Sequence, residues 1–421
     1  MLDLKFIREN PDLVRRAIRD KKAPDHLDEL LGLDSRRRAV IGEAEALKHE
    51  RNVVSQQIAD AKKAGREAAD AIVAMRAVSE RAQSLDIQLR EIEEQILHWQ
   101  LRIPNVPHPD CPVGDESQNR EVRSWGRKPA LAFTPAPHWE LGQKLGIYDG
   151  VAGTTVAGSG FFVLRGAGAR MQRALINFMI ERHVANEYVE HRLPYLVTAK
   201  TMQGTGQLPK LAEDMYHIES DDLWLIPTAE VPLTNLRAGS VLPAGSLPLR
   251  SVAYTPCFRR EAGAAGKDTR GMMRVHQFDK VELVKIVEPE TAESELETLT
   301  ADAEAILQAL ELPYRVRLLA TGDLSFAGAK CYDLEVYATG VDAWLEVSSC
   351  SMFTDFQSRR MDLRVRPKDG GKPYHPHTLN GSALALPRTM IAIWENYQTD
   401  KGSIRVPEVL IPYMGGLEEI A

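Results

Sequence analysis

The sequence predicts an α+β protein with two parts. These are an N-terminal antiparallel α-helical coiled-coil arm and a body with an antiparallel β-sheet flanked by helices. A 3.5-residue apolar repeat runs through the first hundred residues, a proline-rich stretch follows at 104–112, and strand-like and helical segments mix irregularly after about residue 170. That irregular mixture favours an antiparallel sheet over a doubly wound one. We therefore expect an arm over residues 1–103 and a second domain over residues 104–421.

The arm is predicted from two matching apolar stripes. Spacings of four and three alternate without a break from Ala71 to Ile103. The same spacing runs from Leu30 to Ala61, with Arg37 and Arg51 at two of the seam positions. This repeat is the seam of a coiled coil, and Gly65 between the stripes suits a tight turn. At 1.5 Å per residue, an antiparallel hairpin of this size would be about 50 Å long. A dimerisation or spacer coil is the alternative interpretation of such a rod.

Length and composition exclude several classes of protein. The 421 residues are 44% hydrophobic and 26% charged, as is ordinary for a globular protein of two or three domains. Collagen, low-complexity disorder and a polytopic membrane protein are excluded. The first residues are charged where a signal peptide would be apolar, and no run of about 18 apolar residues occurs. We therefore expect a cytoplasmic protein without a membrane partner.

The net charge of −7 belongs to the body, because residues 1–103 hold 19 basic and 19 acidic residues. An acidic chain is a poor general binder of nucleic acid, but local basic patches can still contact one RNA. Such patches are predicted at the arm tip and in a glycine-rich loop of the body, with the residues Lys62, Lys63, Arg66, Lys267, Arg270 and Arg274.

Common metal and nucleotide motifs are missing from the sequence. The four cysteines, Cys111, Cys257, Cys331 and Cys350, form no CxxC pair, so we expect reduced thiols and no zinc. There is also no GxxxxGK[ST] loop and no GxGxxG following a strand. Any nucleotide site must therefore use a different arrangement.

The segment Phe258–Glu282 is the most informative part of the body. It is predicted as a strand, a basic glycine-rich loop and a return strand, with Arg259 and Glu261 on one face of the first strand. The return strand is expected to present His276, Phe278 and Glu282 on one face, with His276 as a structural residue. Arg and Glu are rarely buried unless paired, which favours a binding site over a solvated surface hairpin.

This segment resembles motif 2 of class II aminoacyl-tRNA synthetases, in the form carried by seryl-tRNA synthetases. Other stretches match that family in the same order, and the arm resembles its tRNA-binding arm, so the resemblance covers essentially the whole chain. The matching stretches are Thr201–Lys210, Thr228–Glu230, Glu346–Ser351, Asp355–Gln357 and Asn380–Asn396. The resemblance implies a class II catalytic domain. It also implies that serine is activated with ATP to seryl-adenylate and passed to tRNA(Ser), with tRNA(Sec) as a second candidate.

The resemblance implies an ATP site that includes both catalytic residues. Arg259 would hold the α-phosphate and Arg388 the γ-phosphate, because the planar guanidinium makes two charge-assisted bonds to phosphate. Phe278 would stack on adenine, and Glu261 would accept a hydrogen bond from its amino group. Glu346 and Ser349 would bind the Mg²⁺ that accompanies ATP. The full set implied for ATP is Arg259, Arg260, Glu261, Val275, Phe278, Glu346, Val347, Ser348, Ser349 and Arg388.

The resemblance likewise implies a serine pocket. Thr228 and Glu230 would meet the polar backbone groups of the amino acid, with Glu230 pairing with its ammonium. Glu282 and Ser382 would bind the hydroxyl, which rejects alanine strongly, whereas threonine is excluded only by its methyl group. The full set implied for serine is Thr228, Ala229, Glu230, Arg259, Glu282 and Ser382.

Motif 1 of this class builds a homodimer, which we therefore expect here. The chain departs from the family pattern at three positions, Glu187, Arg260 and Met352, and Glu187 stands where Gly often opens motif 1. That departure weakens the dimer inference, although Pro194 is in place. None of the three removes a residue implied in the chemistry.

Four other interpretations fit the sequence less well. A synthetase-like binding protein without catalysis should have lost Arg259, Glu282, Glu346 or Arg388, and all are present. A ligase that loads carrier proteins would lack the arm and use zinc. The threonyl and prolyl enzymes carry different N-terminal domains. A coiled-coil scaffold would leave some 300 residues without a role.

Overall fold

The computed structural model describes residues 1–65, 67, 69–262 and 270–421. Two of the basic residues predicted to contact RNA, Arg66 and Lys267, lie outside the described residues. The described chain forms two compact units, Leu2–Pro104 and Asn105–Ala421. In the part of the chain that is described, no helix is both long and apolar enough to cross a membrane.

The first unit is helical and contains the predicted antiparallel hairpin. Its helices are α1 (Leu4–Glu9), α2 (Pro11–Asp20), α3 (Leu27–Lys63) and α4 (Ala69–Gln100). Arg37 Nε donates to Glu93 Oε1 at 3.0 Å, and Arg81 Nη2 lies 2.6 Å from Glu43 Oε1. Residue numbers rise along α3 as those of their partners fall along α4, so the two helices are antiparallel. Gly65 has a φ of +68°, the left-handed conformation that glycine adopts most easily.

Burial along the two long helices follows the predicted seam. Val40 and Val54 of α3 and Val78, Leu85 and Ile92 of α4 are buried. The seam was predicted to continue as helix to Ile103, but α4 ends at Gln100. The two short helices α1 and α2 were not predicted, because six and ten residues are too few for a clear periodic pattern.

The second unit mixes helices and strands, as expected. Its helices are α5 (His138–Lys144), α6 (Gly150–Ala157), α7 (Gly166–Ala185), α8 (Ala199–Thr205), α9 (Glu230–Asn235), α10 (Ala292–Ala309), α11 (Phe356–Arg360) and α12 (Leu386–Asn396). Its strands are β1 (Arg120–Trp125), β2 (Tyr148–Asp149), β3 (Val163–Leu164), β4 (Val189–Glu190), β5 (Leu196–Thr198), β6 (His217–Ile218), β7 (Leu223–Leu225), β8 (Val241–Leu242), β9 (Leu249–Phe258), β10 (Gln277–Val287), β11 (Tyr314–Leu318), β12 (Lys330–Ala338), β13 (Ala343–Met352), β14 (Arg364–Val365), β15 (His377–Ala385), β16 (Ile404–Arg405) and β17 (Glu419–Ile420).

Eight strands form the main sheet in the order β1-β11-β12-β13-β15-β10-β9-β4. All neighbours are antiparallel except β4 and β9, which pair in parallel at one edge. The predicted antiparallel sheet and α+β class are therefore confirmed, apart from this edge pair. Side chains of α7, α10 and α12 join those of the central strands in one apolar core, in which Trp394 is fully buried.

The proline-rich stretch was predicted as an extended linker, but most of it belongs to the body. Asn105 is buried, and its side-chain amide donates to the carbonyls of Ala327 and Phe353 at 2.9 and 2.8 Å. His108 N donates to Ala329 O at 2.8 Å, and Cys111 is buried. Prolines prevent helix here without preventing packing.

Candidate active site

Two adjoining cavities open against the central strands β9, β10, β13 and β15. The larger has a volume of about 540 Å³ and the smaller about 230 Å³. Side chains from both predicted sets line them, and six residues line both cavities. These six are Arg259, Glu261, Arg274, Lys280, Ser349 and Ser382.

The local structure around Arg259 and Glu261 differs from the prediction. Strand β9 ends at Phe258, so the two residues do not share a strand face. Arg260 N donates to Asp214 O at 2.8 Å, which draws the backbone out of the sheet, and Glu261 has a φ of +51°. Arg259 and Glu261 nevertheless both line both cavities. The side chain of Arg260 is exposed and lines neither cavity.

Glu230 lies at the start of α9, almost fully buried in the wall of the larger cavity. Gln357 Nε2 donates to its Oε1 at 2.7 Å, and Thr228 Oγ1 accepts from its backbone N–H at 3.2 Å. Burial, and secondarily the charge of Glu282, raise the pKa of Glu230 to about 7. Gln357 was part of a matched motif but had no predicted role.

Glu282 is fully buried behind the wall of the larger cavity. Asn380 Nδ2 donates to its Oε1 at 2.6 Å, Lys280 Nζ lies 2.6 Å from its Oε2, and Ser382 Oγ is 3.4 Å from the same oxygen. Glu282 and Ser382 are direct partners in the register of β10 and β15, so the sequence was right to group them. Lys280, Asn380 and Ser382 line the cavity in front of it.

Lys280 and Asn380 were missed by the sequence analysis. Each lies two residues before a predicted site residue on the same strand, Lys280 before Glu282 and Asn380 before Ser382. Side chains two apart share a strand face, and this spacing could have identified both. A third member of the serine set, Ala229, is fully buried between Leu233 and Ala253 and lines neither cavity.

The smaller cavity brings together the residues predicted for the nucleotide. The Arg259 guanidinium lies 5.1 Å from the centre of the Phe278 ring, a cation–π distance. Arg274 Nη1 donates to Glu261 Oε2 at 2.5 Å, so Arg274 faces this site, although it was predicted to contact RNA. Val275, Val347 and Ser348 also line this cavity.

Arg388 lies in the first turn of α12, directly after Pro387, a residue suited to that position. Its guanidinium donates to Met273 O at 3.4 Å and to Glu346 O at 2.8 Å. The position of the helix start thus fixes where this side chain enters the smaller cavity.

A β-bulge brings Glu346 and Ser349 together. Leu334 pairs with Ser348, but the next residue Glu335 pairs with Glu346, so Val347 is an extra residue in β13. Residues three apart normally point to opposite faces of a strand, and the bulge returns Ser349 to the side of Glu346. Both residues line the smaller cavity and offer oxygen donors.

Asp333 lies beside this pair and was not predicted. Ser349 Oγ donates to its Oδ1 at 2.6 Å across the strand pair. Burial, with the charge of Glu346, raises the pKa of Asp333 well above its usual range.

One of the four cysteines contacts this cluster, since Cys331 Sγ lies 3.2 Å from Ser349 Oγ. All are free thiols and all are buried. Burial raises the pKa of Cys257, Cys331 and Cys350, which keeps them protonated.

Comparison with known families agrees with this geometry. Residues 215–397 match the tRNA synthetase class II core domain (G, H, P, S and T), and residues 1–107 match the seryl-tRNA synthetase N-terminal domain. The sheet and its cleft are therefore those of a class II aminoacyl-tRNA synthetase.

The relatives make the assignment more specific. The serine–tRNA ligase of Thermomicrobium roseum is 55% identical over the whole chain and 95% of its own length, and that of Geobacter sulfurreducens is 50% identical over all of both proteins. The seryl-tRNA synthetase from Pyrococcus horikoshii, solved with ATP, superposes with a TM-score of 0.95 at 36% identity, covering 100% of this chain and 99% of its own. The Naegleria fowleri cytoplasmic enzyme, solved with AMP, gives a TM-score of 0.89 at 31% identity, covering 100% and 98%. The chain belongs to the seryl-tRNA synthetase family, the serine–tRNA ligases.

Proposed function

We propose that the chain activates L-serine with ATP to seryl-adenylate and then transfers the seryl group to the 3′ end of tRNA(Ser), with tRNA(Sec) as a second substrate. The observation that carries this proposal is the shared wall of the two cavities. An amino acid in the larger cavity and a nucleotide in the smaller one would meet at Arg259. The ATP and AMP held by the two solved relatives support a nucleotide as one ligand.

The first reaction joins two anions. A carboxylate oxygen of serine bonds to the α-phosphorus of ATP, the bond between the α-phosphorus and the bridging oxygen breaks, and pyrophosphate leaves. Arg259 lies at the junction, where its guanidinium lowers the repulsion and aligns both groups. In the second reaction a hydroxyl oxygen of the terminal ribose bonds to the seryl carbonyl carbon, and the bond from that carbon to the phosphate oxygen of AMP breaks. AMP leaves, and the hydroxyl proton passes to its phosphate or to water.

The smaller cavity supplies the proposed nucleotide contacts. Arg388 holds the γ-phosphate and Phe278 stacks on adenine. Glu261 accepts from the adenine amino group once its contact with Arg274 is exchanged for the ligand. The backbone N–H of Arg260 donates to Asp214 in this turn, while the Arg260 side chain is exposed and lines neither cavity.

Glu346 and Ser349 would hold the Mg²⁺ that accompanies ATP. They fit this ion because both offer oxygen donors on one side of the bulge, and Mg²⁺ commonly takes one or two protein oxygens together with phosphates and water. When bound, the ion neutralises phosphate charge. Asp333 accepts a hydrogen bond from the Ser349 hydroxyl, and this bond orients the Ser349 oxygen.

The larger cavity supplies the proposed serine contacts. Ionised Glu230 pairs with the ammonium group of serine. Hydrogen bonds with Thr228 and Gln357 hold Glu230 in place. The serine hydroxyl donates to Glu282 in exchange for the bond from Ser382 Oγ to Glu282, which is long at 3.4 Å. Alanine would leave this buried carboxylate without that partner, which is a strong basis for rejection.

The arm and the motif 1 region supply the proposed macromolecular contacts. Residues 1–103 bind the tRNA and residues 104–421 form the catalytic domain, with Lys62 and Lys63 at the described end of the arm. A homodimer through α7 and β4 is supported by exposed apolar side chains on and near these elements, at Val151, Val156, Val184 and Val189. The proposed location is the cytoplasm.

The test is ATP–pyrophosphate exchange with serine, threonine and alanine, followed by charging of unfractionated tRNA. We expect exchange with serine, weaker exchange with threonine and almost none with alanine. Exchange that does not depend on serine would overturn the proposal. Light scattering in solution should give twice the mass of one chain, and a monomer would exclude the dimer.

A further inference from the structure

We propose that His138 is a positioning residue that holds the segment Gly271–Met273 against the nucleotide cavity. The inference rests on the proposed function of that cavity as the ATP site. No role was predicted for His138, which lies more than a hundred residues from the segment it contacts. Both Met272 and Met273 line the cavity.

His138 begins helix α5 and has no exposed surface. Its two ring nitrogens face different partners. Nδ1 lies 2.8 Å from Glu395 Oε1, near the end of α12, and Nε2 lies 3.1 Å from the backbone nitrogen of Met272. The ring therefore bridges α12 and the segment.

The surrounding donors define which nitrogen carries the proton. Glu395 Oε1 also accepts the backbone N–H of His138 at 2.9 Å, and its Oε2 accepts those of Gly340 and Val341 at 2.8 and 3.0 Å. A carboxylate surrounded by donors requires a proton on Nδ1. Nε2 is then the acceptor that the Met272 N–H needs.

The next residue of the segment contacts the other end of the same helix. Met273 O accepts from Arg388 Nε at 3.4 Å, and Arg388 lies in the first turn of α12. Two consecutive residues are thus bonded to opposite ends of one helix, Met272 through His138 and Glu395, and Met273 through Arg388. This fixes the segment relative to the proposed γ-phosphate residue.

Two further contacts show that the fit is specific. Gly271 has a φ of +62°, and a Cβ atom there would lie 2.1 Å from His138 Nε2, so only glycine fits. The Arg270 guanidinium lies 4.7 Å from the centre of the ring of Trp139, the residue after His138. Two successive residues of α5 therefore contact the segment and the residue that precedes it.

Two substitutions separate positioning from packing, because each keeps one of the two ring contacts. His138→Asn keeps a donor near the Nδ1 position for Glu395 but cannot reach Met272. His138→Gln places an oxygen near the Nε2 position for Met272 but loses the donor to Glu395.

We expect His138→Asn to raise KM for ATP about 5- to 10-fold, the effect of one lost buried hydrogen bond, with KM for serine changed by less than about 2-fold. We expect His138→Gln to leave KM for ATP within about 2-fold and to lower Tm by about 2–4 °C. A purely structural histidine would not produce this crossed pattern. Equal effects of both variants on KM for ATP, or no effect of either, would overturn the proposal.

Hydrogen exchange of residues 270–276 gives a measurement that does not need activity. We expect the amide hydrogens of these residues to exchange about 10-fold faster in His138→Asn than in the wild-type protein, although the two proteins have the same Tm. Unchanged exchange would contradict the proposed contact. The exchange measurement on His138→Asn tests the positioning role even if His138→Gln does not fold. Arg388→Ala is assayed alongside: if it retains pyrophosphate exchange, the ATP site itself is wrongly assigned, whatever the His138 variants do.

Discussion

Arg388 and Glu346 contact each other in the free protein. Arg388 Nη1 lies 2.8 Å from the backbone oxygen of Glu346 and 3.6 Å from its carboxylate. In the proposed mechanism these two residues bind opposite charges of the same ligand, phosphate at Arg388 and Mg²⁺ at Glu346. Their mutual contact compensates both charges until the ligand replaces it.

Removing the Arg388 side chain should abolish adenylate formation. We expect Arg388→Ala to lower serine-dependent pyrophosphate exchange by about 10²- to 10³-fold, because a preorganised charge at a phosphate is lost. Arg388→Lys should recover only part of the rate, since lysine lacks the planar fork. Arg405→Ala, at the exposed position of strand β16, is the matched control. Near-normal exchange in Arg388→Ala would exclude the proposed role.

Serine binding should release a proton below neutral pH. The pKa of Glu230 is raised to about 7, so at pH 6 about nine-tenths of the free protein carries a protonated Glu230. Pairing with the serine ammonium requires the ionised form. We expect the release of about 0.9 proton per serine bound at pH 6 and about 0.1 at pH 8. The affinity for serine should be about 10-fold weaker at pH 6 than at pH 8.

Calorimetry in buffers of different ionisation enthalpy measures this release directly. Glu230→Gln is the control, since it cannot release a proton from this position, and it should bind serine much more weakly. The same proton release at pH 6 and pH 8 would contradict the assignment of Glu230 to the ammonium.

His183 should make the body sensitive to acid. It is fully buried on α7, and neither ring nitrogen meets a hydrogen-bond partner among the described residues. Burial lowers its pKa to about 4. Because the unfolded chain takes up the proton near its ordinary pKa of about 6.5, the free energy of unfolding should fall as the pH drops from about 6.5 to about 4, by about 3 kcal/mol in total.

Urea unfolding at several pH values tests this expectation. His183→Leu should make the free energy of unfolding less dependent on pH between about 6.5 and 4, because the titrating imidazole is absent. Phe178→Leu on the same helix changes a buried ring without removing a titratable group, and it should leave the slope as it is. An unchanged slope in His183→Leu would exclude this histidine as the cause.

Shortening the arm should separate the two reactions. Joining residue 44 to residue 80 by a Gly-Ser turn, next to the pair Glu43–Arg81, removes the distal part of the hairpin. We expect serine-dependent exchange within about 2-fold of the wild-type rate, and a loss of at least about 100-fold in kcat/KM for tRNA charging, because phosphate contacts on the arm position the RNA. Full charging by the shortened chain would show that the arm does not bind tRNA.

The sequence predicted the parts of the fold that depend on local patterns. The heptad repeat predicted the hairpin, because the apolar seam of a coiled coil can be recognised from residue spacing alone. The grouping of Glu282 with Ser382 also agrees with the strand register. The parallel pairing of β4 with β9 was missed, because a two-residue strand has no readable period.

Other features depend on contacts between distant segments. The end of β9 at Phe258 follows from a bond between Arg260 and Asp214 that no local rule indicates. The bond from Asn105 to Phe353 likewise joins residues about 250 apart. Most of the residues that the resemblance assigned to the two sites line the cavities. The resemblance gave no reason for the burial of Glu282 or for its partner Lys280.

The extra residue in β13 has a consequence for how variants of this protein should be interpreted. Glu346 and Ser349 share a side only because Val347 adds one step to the strand. Loss of that single codon would turn Ser349 to the opposite face from Glu346 while leaving both proposed Mg²⁺ ligands in the sequence. A substitution scan, which never changes chain length, would test the side chain of Val347 but not the extra step that it adds to the strand. Only a deletion scan would reveal that the spacing itself is part of the site.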